Sequence, residues 1–264
     1  MRHVYLAPHL DDAVLSCGGA IHRQVVGGDE VLVITLLAGD APTGRPLSDF
    51  ARGQPAHRTG APQPAALRRA EDAAALALLG AGVVHLSFLD AIYRSAPPEP
   101  GEAACAWLYD DLPALTGPVH PADPVTPTAL ADGVAAGLGG DQAAAVCAPL
   151  AVGGHVDHQL VHKAALLLAE RGHCLAFYED YPYAETLDPL AVPQSVVEGA
   201  SWPLEVVALE PADVAAKVAA LAYYRSQLAV LFGEPEAMPS RIWSFAATRS
   251  ADVGLAERIW RWRP

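Results

Sequence analysis

The sequence lacks the features that mark secreted, membrane-spanning and nucleic-acid-binding proteins. Its 264 residues include only four cysteines, which form neither a Cys-x-x-Cys spacing nor a secreted disulfide pattern, so we interpret them as free thiols. No apolar stretch reaches the ~18–20 residues of a membrane span. The apolar run at the N-terminus is too short for a signal peptide. We therefore expect a cytoplasmic protein.

Basic charge is also scarce. No run of Lys or Arg is present, and 30 acidic residues against 17 basic residues give a formal net charge of −13. Such a chain repels phosphate groups, which argues against nucleic acid and anionic membrane surfaces as partners. The expected partner is a small molecule, and the sequence leaves the oligomeric state open.

The pattern of apolar residues indicates an α/β fold. Continuous apolar runs predict buried strands, and apolar residues at helical spacing predict helices between them. The predicted strands are 3–7, 30–37, 83–89, 143–150, 174–179 and a last one within 255–264, and the predicted helices are 13–26, 64–79, 155–171 and 211–231. Their alternation over the first 180 residues predicts a single domain, residues 1–264, with a Rossmann-like, mostly parallel sheet covered by helices on both faces.

Two long segments rich in Pro, Gly and Ala interrupt this pattern, at 38–63 and 90–128. Each follows the carboxyl end of a predicted strand, which is the edge where open α/β sheets bind ligands. Loops of this length are uncommon unless they are functional or disordered. We expect at least one of them to line a substrate site.

A histidine and two adjacent carboxylates lie between the first predicted strand and the first predicted helix, in the sequence PHLDD at residues 8–12. Neighbouring like charges repel each other and are costly to remove from water. Asp11 and Asp12 therefore need a compensating charge, and a metal ion is one candidate.

A second cluster, GGHVDHQLVH at residues 153–162, follows another predicted strand. His155 and His158 are three residues apart, so they share one face of a helix or of its first turn. Together with His9 and Asp12 they could surround one divalent ion. Two histidines and one carboxylate leave an open coordination position, as a catalytic zinc site requires.

Other functions of such clusters are disfavoured by single residues. A zinc protease needs His-Glu-x-x-His, but Gln159 stands where the catalytic glutamate would be. A non-haem iron oxygenase needs no carboxylate base beside the metal, whereas Asp11 adjoins Asp12. The segment SCGGA is not the glycine fingerprint of a dinucleotide site. The remaining histidines are expected to be structural: His3, His22, His57, His85, His120, His162 and His173.

The two clusters together resemble the paired motifs of the LmbE-like (PIG-L) metal-dependent N-deacetylases. The resemblance extends to LRRAEDAAALALLG at 67–80 and to KVAALAYYRSQL at 217–228. It implies a zinc-dependent hydrolase that removes an N-acetyl or N-acyl group from an N-acetylglucosamine-type amino sugar on a larger molecule, such as an antibiotic precursor. The alternative is a non-catalytic carbohydrate- or partner-binding protein that kept the fold and a structural metal.

The resemblance also implies roles for individual residues. His9, Asp12 and His158 correspond to the ligands of one Zn²⁺ ion, with Fe²⁺ or Co²⁺ as substitutes. Asp11 corresponds to the general base that takes a proton from the metal-bound water. His155 corresponds to the residue that protonates or stabilises the tetrahedral intermediate. Both catalytic residues favour an enzyme over the non-catalytic alternative.

Two further residues take part by the same resemblance. Asp157 is expected to orient and charge His155. Arg68, favoured over Arg69 by the Arg-x-x-Glu spacing, is expected to lie near the sugar, unless it forms an ion pair with Glu71 or Asp72 on the helix surface.

The chain departs from the usual His-Pro-Asp-Asp-Glu motif at two positions, with Leu10 for the proline and Ala13 for the glutamate. The second change removes a carboxylate near the metal. Some family members also carry a tyrosine just before the second motif, where this chain has 152–154 (Val-Gly-Gly). Candidates for that phenol are Tyr93, Tyr178 and Tyr181, and candidates for a further substrate contact are Glu179 and Asp180.

Overall fold

The computed structural model describes residues 1–44, 46–61, 63–96, 106–141, 143–190 and 201–263. Within these ranges seven strands form one mixed sheet. They are β1 (Arg2–Ala7), β2 (Glu30–Thr35), β3 (Gly82–His85), β4 (Ala145–Pro149), β5 (Cys174–Tyr178), β6 (Leu204–Ala208) and β7 (Ala256–Arg261). The strand order is β3-β2-β1-β4-β5-β7-β6. The first five strands are parallel, whereas β7 runs antiparallel to β5 and to β6.

The α-helices of the described ranges cover both faces of this sheet. They are α1 (Asp12–Val26), α2 (Asp49–Arg52), α3 (Pro55–Arg58), α4 (Pro64–Leu79), α5 (Leu112–Leu115), α6 (Pro127–Leu138), α7 (Val156–Glu170), α8 (Pro211–Leu221), α9 (Leu228–Phe232) and α10 (Met238–Thr248). Helices α1, α4 and α8 pack together, and α6 packs on α7. Tyr5 donates to Gln24 of α1, whereas Phe177 stacks on His162 of α7. The predicted α/β fold with a mostly parallel sheet is confirmed.

The chain reverses its direction of winding between β1 and β4, which are neighbours in the sheet although they are far apart in sequence. Parallel strands on the two sides of such a reversal leave a crevice at their carboxyl ends. The segment PHLDD follows β1, and the second histidine cluster follows β4. The sheet order therefore brings both clusters to one crevice.

Two predicted elements differ from the observed ones. The third strand ends at His85, because residues 86–89 turn away to pair with residues 37–39. The helix predicted at 211–231 is broken into α8 and α9 by a turn at 222–227. Strand β6 and helices α6 and α10 have no counterpart among the predicted elements.

Side-chain bonds to α4 explain the break between α8 and α9. The Tyr224 hydroxyl donates to Asp72 over 2.7 Å. The backbone N–H and the hydroxyl of Ser226 donate to the two oxygens of Glu71, over 2.9 and 2.6 Å. These bonds connect the segments 67–80 and 217–228, and satisfying them requires the chain to leave the helix.

Two adjacent glycines allow α1 to lie close to its neighbours. A Cβ atom on Gly18 would lie 2.8 Å from Lys217 Cγ, and one on Gly19 would lie 2.6 Å from Leu209 Cδ1. Both distances are shorter than the contact distance between two carbon atoms, so a larger residue at either position would push α1 away from these neighbours. The segment SCGGA therefore serves helix packing.

Among the residues that the structure describes, none of the helices has the length and apolar composition of a membrane span.

A buried ion pair connects α8, β7 and α1. Lys217 of α8 donates to Glu257 of β7 over 2.7 Å, and both side chains are almost completely buried. Glu257 also accepts bonds from the backbone N–H groups of Gly19 and Ala20 in α1, over 3.2 and 2.8 Å. The carboxylate is thus paired and hydrogen-bonded, as a buried charge must be.

Replacing Lys217 by methionine should lower the free energy of unfolding by about 3–5 kcal/mol, because Glu257 would then hold a buried charge without its partner. Urea denaturation measures this change. The matched control is Arg261→Met, since the Arg261–Glu205 pair is 45% and 44% exposed. An exposed pair contributes only ~0–1 kcal/mol. Equal losses in the two variants would contradict the assignment of stability to the buried pair.

Candidate metal centre

The loop after β1 and the start of α7 supply the side chains of the candidate site. The Asp11 backbone N–H donates to the His9 carbonyl in a tight turn, and α1 begins at Asp12. His155 caps the start of α7, and its Nδ1 accepts the backbone N–H of Asp157 over 3.2 Å. His158 lies within the first turn of α7. The short spacing within each segment fixes these positions locally.

Three of the predicted metal ligands converge. The Oδ2 atom of Asp12 lies 3.2 Å from His9 Nδ1 and 3.4 Å from His158 Nε2. One donor atom from each of the three residues lies within 4.8 Å of the others. Asp12 and His158 are buried and His9 is nearly so. Two imidazoles and one carboxylate at this spacing suit a divalent metal with an open coordination position.

Each histidine of this group is held by a carboxylate at its other ring nitrogen. His9 Nε2 donates to Asp157 over 2.8 Å, and His158 Nδ1 donates to Asp180 over 2.6 Å. Such bonds fix the tautomer and direct the remaining nitrogen to the metal, as in many metal sites. Asp157 thus contacts a different partner from the expected one, because its carboxylate bonds to His9 and not to His155.

Asp180 is one of the two candidates for a further substrate contact, and its observed side-chain bond is to His158. It also accepts the backbone N–H of Val152 over 3.0 Å. Glu179, the other candidate for a substrate contact, accepts hydrogen bonds from the side chains of Trp260 and Arg249. The two adjacent carboxylates therefore have different partners.

The buried arginine Arg94 was not singled out from the sequence. Its guanidinium donates to Asp157 and lies 3.5 Å from Asp123. Asp123 in turn accepts the Tyr109 hydroxyl over 2.7 Å. Arg94 holds the pKa of Asp157 well below its usual range, although burial opposes this. The only sequence signal was an arginine inside the long segment 90–128.

A second group of three residues, His9, His155 and Asp157, also has donor atoms within 4.8 Å. The Asp157 carboxylate is already engaged by Arg94, His9 and the backbone N–H of Ala91. A metal there would compete with a buried arginine for the same oxygens. We therefore favour the group formed with Asp12 and His158.

Asp11 lies beside this group and is not a member of it. Its Oδ1 atom is 3.3 Å from Arg68 Nη2, so the helix α4 arginine pairs with the proposed base and not with Glu71 or Asp72. Burial and the neighbouring Asp12 raise the pKa of Asp11 to about 7, although Arg68 opposes this shift. A cation at the three-residue group would favour the ionised form.

His155 and His158 differ in their electrostatic surroundings. Burial, together with the nearby His9, lowers the pKa of His155 to about 3. Burial also lowers the pKa of His158, but Asp12 and Asp180 raise it to about 9. The His155 ring is therefore neutral at neutral pH. Because its Nδ1 accepts a backbone N–H, its proton is on Nε2.

The three residues of the group line an open cleft. Both long segments contribute to its walls, with Gln54 and His57 from the first and Ile92 and Tyr93 from the second. His57 Nε2 and the Tyr93 hydroxyl are 2.6 Å apart. His57 was expected to be merely structural, but it lines the cleft. A histidine within a long loop after a strand end was the available signal.

The candidate phenols lie at different distances from the cleft. Tyr93 and Tyr181 line it, whereas the Tyr178 hydroxyl donates to the carbonyl of Leu6 inside the sheet. Tyr183, which sequence reasoning missed, also lines the cleft. Its ring lies against Gly153, where an added Cβ would be 2.4 Å from Tyr183 Cδ1. The glycine before the second motif makes room for this aromatic ring.

Solved structures similar to this one include two enzymes that cover nearly all of the chain. The structure of the deacetylase of the antimicrobial A40926 pseudoaglycone has a TM-score of 0.78 and 30% identity, covering 99% of this chain and 97% of its own. The zinc-inhibited form of a teicoplanin deacetylase has a TM-score of 0.79 and 28% identity, covering 100% of this chain and 98% of its own.

Sequence comparison points the same way. The chain is 32% identical over 199 residues to 2'-N-acetylparomamine deacetylase of Streptomyces fradiae. This match covers 75% of the chain but 63% of that relative, so it spans less than two thirds of the relative's length. A family model described as PIG-L, GlcNAc-PI de-N-acetylase, matches residues 4–169, which include every residue of the candidate metal group. The chain belongs to the PIG-L family.

Proposed function

We propose that this protein is a metal-dependent N-deacetylase. The observation that carries the proposal is the convergence of His9, Asp12 and His158 in an open cleft, with Asp11 and His155 beside them. A site that only held a structural metal would not need a buried carboxylate next to the ligands. Membership of the PIG-L family supports the same activity.

We infer the substrate class from the relatives. These relatives are named 2'-N-acetylparomamine deacetylase, A40926 pseudoaglycone deacetylase and teicoplanin deacetylase. For this chain we propose an N-acetyl, or longer N-acyl, group on an N-acetylglucosamine-type amino sugar carried by a larger molecule, such as an antibiotic precursor. The wide cleft built from two long loops would admit such a molecule.

The proposed metal is zinc, with Fe²⁺ or Co²⁺ as substitutes, because mixed imidazole and carboxylate ligands suit these ions. A divalent ion held by His9, Asp12 and His158 would polarise the amide carbonyl and lower the pKa of a bound water. The bonds from Asp157 and Asp180 would keep both imidazoles in the ligating tautomer.

The chain's own residues divide the proton transfers between them. Asp11 would take a proton from the attacking water, and Arg68 would hold the Asp11 carboxylate in place. His155 presents an N–H at Nε2, which would donate to the oxygen that becomes negative as the carbonyl is attacked. The C–N bond then breaks, and the proton taken by Asp11 passes to the departing amine. The products are a carboxylate and a free amino sugar.

Three expectations from the sequence remain proposals. We propose that residues 1–264 act as one catalytic domain, that the protein is cytoplasmic, and that it has neither nucleic acid nor membrane as a partner.

Replacing a ligand should remove the metal and the activity together. We expect about one zinc ion per chain in the protein as purified, measured by elemental analysis. Asp12→Ala and His158→Ala should lose it, because each leaves two ligands. Asp180→Asn should weaken metal affinity or activity by about 10–100-fold, since it acts through His158. His120→Ala, an exposed histidine elsewhere, is the control and should keep its metal. Normal metal content in Asp12→Ala would refute the ligand set.

Replacing the base should separate activity from metal binding. Asp11→Asn should cut kcat by about 10²–10⁴-fold, the usual contribution of general-base catalysis, while the protein keeps its metal. His155→Ala should show a similar loss with metal retained. The matched control is the exposed Asp110→Asn, which should turn over at the wild-type rate. A metal-free Asp11→Asn protein, or one with normal kcat, would show that Asp11 has another role.

A substrate screen tests the activity itself. N-acetylglucosamine glycosides and N-acetylated aminoglycoside and glycopeptide precursors should release acetate, measured directly in the reaction mixture. N-acetyl peptides and acetate esters serve as the comparison set and should be poor substrates. Binding of the sugars without acetate release would favour the non-catalytic carbohydrate-binding alternative. Activity confined to peptides or esters would contradict the proposed substrate class.

A further inference from the structure

A chain of side-chain hydrogen bonds leads from α4 to the cleft. Glu71 accepts both the backbone N–H and the hydroxyl of Ser226, over 2.9 and 2.6 Å. An ionised carboxylate can only accept, so the Ser226 hydroxyl hydrogen must point to Glu71. The Ser226 oxygen is then left as an acceptor for its other neighbour.

That neighbour is Gln227, whose amide orientation follows from the same reasoning. Its Nε2 atom lies 2.9 Å from Ser226 Oγ and donates to it. Amide nitrogen and oxygen are assigned from such networks, and here the donor end is fixed by an acceptor whose own hydrogen is committed. Nε2 is thus the donor end, and the carbonyl oxygen Oε1 has no hydrogen-bond partner among the residues that the structure describes.

Gln227 also lines the cleft that contains the metal group. It is 8% exposed and stands at the start of α9, whose Leu231 lines the same cleft one turn later. Arg68 lies in that cleft too, and it is carried by the helix that carries Glu71. The network thus fixes an uncharged hydrogen-bond acceptor in the lining of the cleft that also contains Asp11.

We infer that Gln227 is a substrate-binding residue whose Oε1 atom accepts a hydrogen bond from a hydroxyl group of the bound amino sugar. This inference rests on the proposed function. A buried, uncharged acceptor suits a sugar hydroxyl. It forms a hydrogen bond with a ligand that has the donor, whereas a ligand without the donor binds less tightly because the buried oxygen stays unpaired. Ser226 is a positioning residue, since it acts by fixing the direction of the amide.

The test uses the metal-loaded enzyme and a p-nitrophenyl N-acetylglucosaminide with its 3-, 4- and 6-deoxy analogues. Gln227→Met keeps the side-chain length but removes the acceptor. It should raise KM for the parent sugar by about five- to tenfold with kcat nearly unchanged, the result of losing one neutral hydrogen bond. The matched control is Gln24→Met, which makes the same change at the opposite edge of the sheet and should leave KM unaltered.

The deoxy analogues show whether the contact is direct. The wild type should have a KM about five- to tenfold higher for one analogue than for the parent sugar. The Gln227→Met variant should have the same KM for that analogue and for the parent sugar. Ser226→Ala should weaken the same discrimination. If Gln227→Met keeps the full wild-type discrimination among all three analogues, the inference is wrong, even if the variant is less stable.

Equilibrium binding separates this inference from the proposed function. If the wild type binds the glycosides but releases no acetate, the deacetylase proposal fails. The dissociation constants of the parent sugar and its deoxy analogues, compared between the wild type and Gln227→Met, then decide the role of Gln227 in place of KM. If the wild type neither binds nor hydrolyses any of the four sugars, Gln227 does not serve a glucosamine site, and the inference is overturned.

Discussion

The site depends on the burial of two adjacent carboxylates, Asp11 and Asp12, at the reversal point of the sheet. They are 6% and 8% exposed, and two such charges would be unstable together without positive partners. The structure gives each carboxylate a different partner. Asp12 lies between His9 and His158, whereas Asp11 pairs with Arg68. This separation of partners gives neighbouring residues different chemical roles.

Positive charge at the site is in turn balanced by carboxylates farther out. Asp157 and Asp180 hold the two imidazoles, and Arg94 holds Asp157. Each group is thus paired from the metal group outward to the loop that contains Arg94. Because the order of these contacts is fixed by buried bonds, the donor atoms are directed before any ligand arrives, which is the arrangement that catalysis requires.

Helix α4 connects the fold to the site. Asp72 accepts bonds from Tyr224 and from His85, which tie α4 to the segment after α8 and to β3. On the same helix Arg68 reaches Asp11, and Glu71 holds the segment that carries Gln227. The bonds that interrupt the long predicted helix at 222–227 therefore also shape one wall of the cleft.

The sequence by itself determined the elements whose signals are local. It predicted α4 at 64–79 from apolar residues at helical spacing that end at Gly80, and in the structure Gly80 ends the helix with φ of 77°. It also predicted that residues of the two motifs lie close together, because both motifs follow predicted strands. The tertiary structure decided the pairing of groups distant in sequence. Asp157 contacts His9, 148 residues away, and Arg68 contacts Asp11, 57 residues away. No local spacing specifies such contacts, because they depend on the order of strands in the sheet and on the packing of the helices across it.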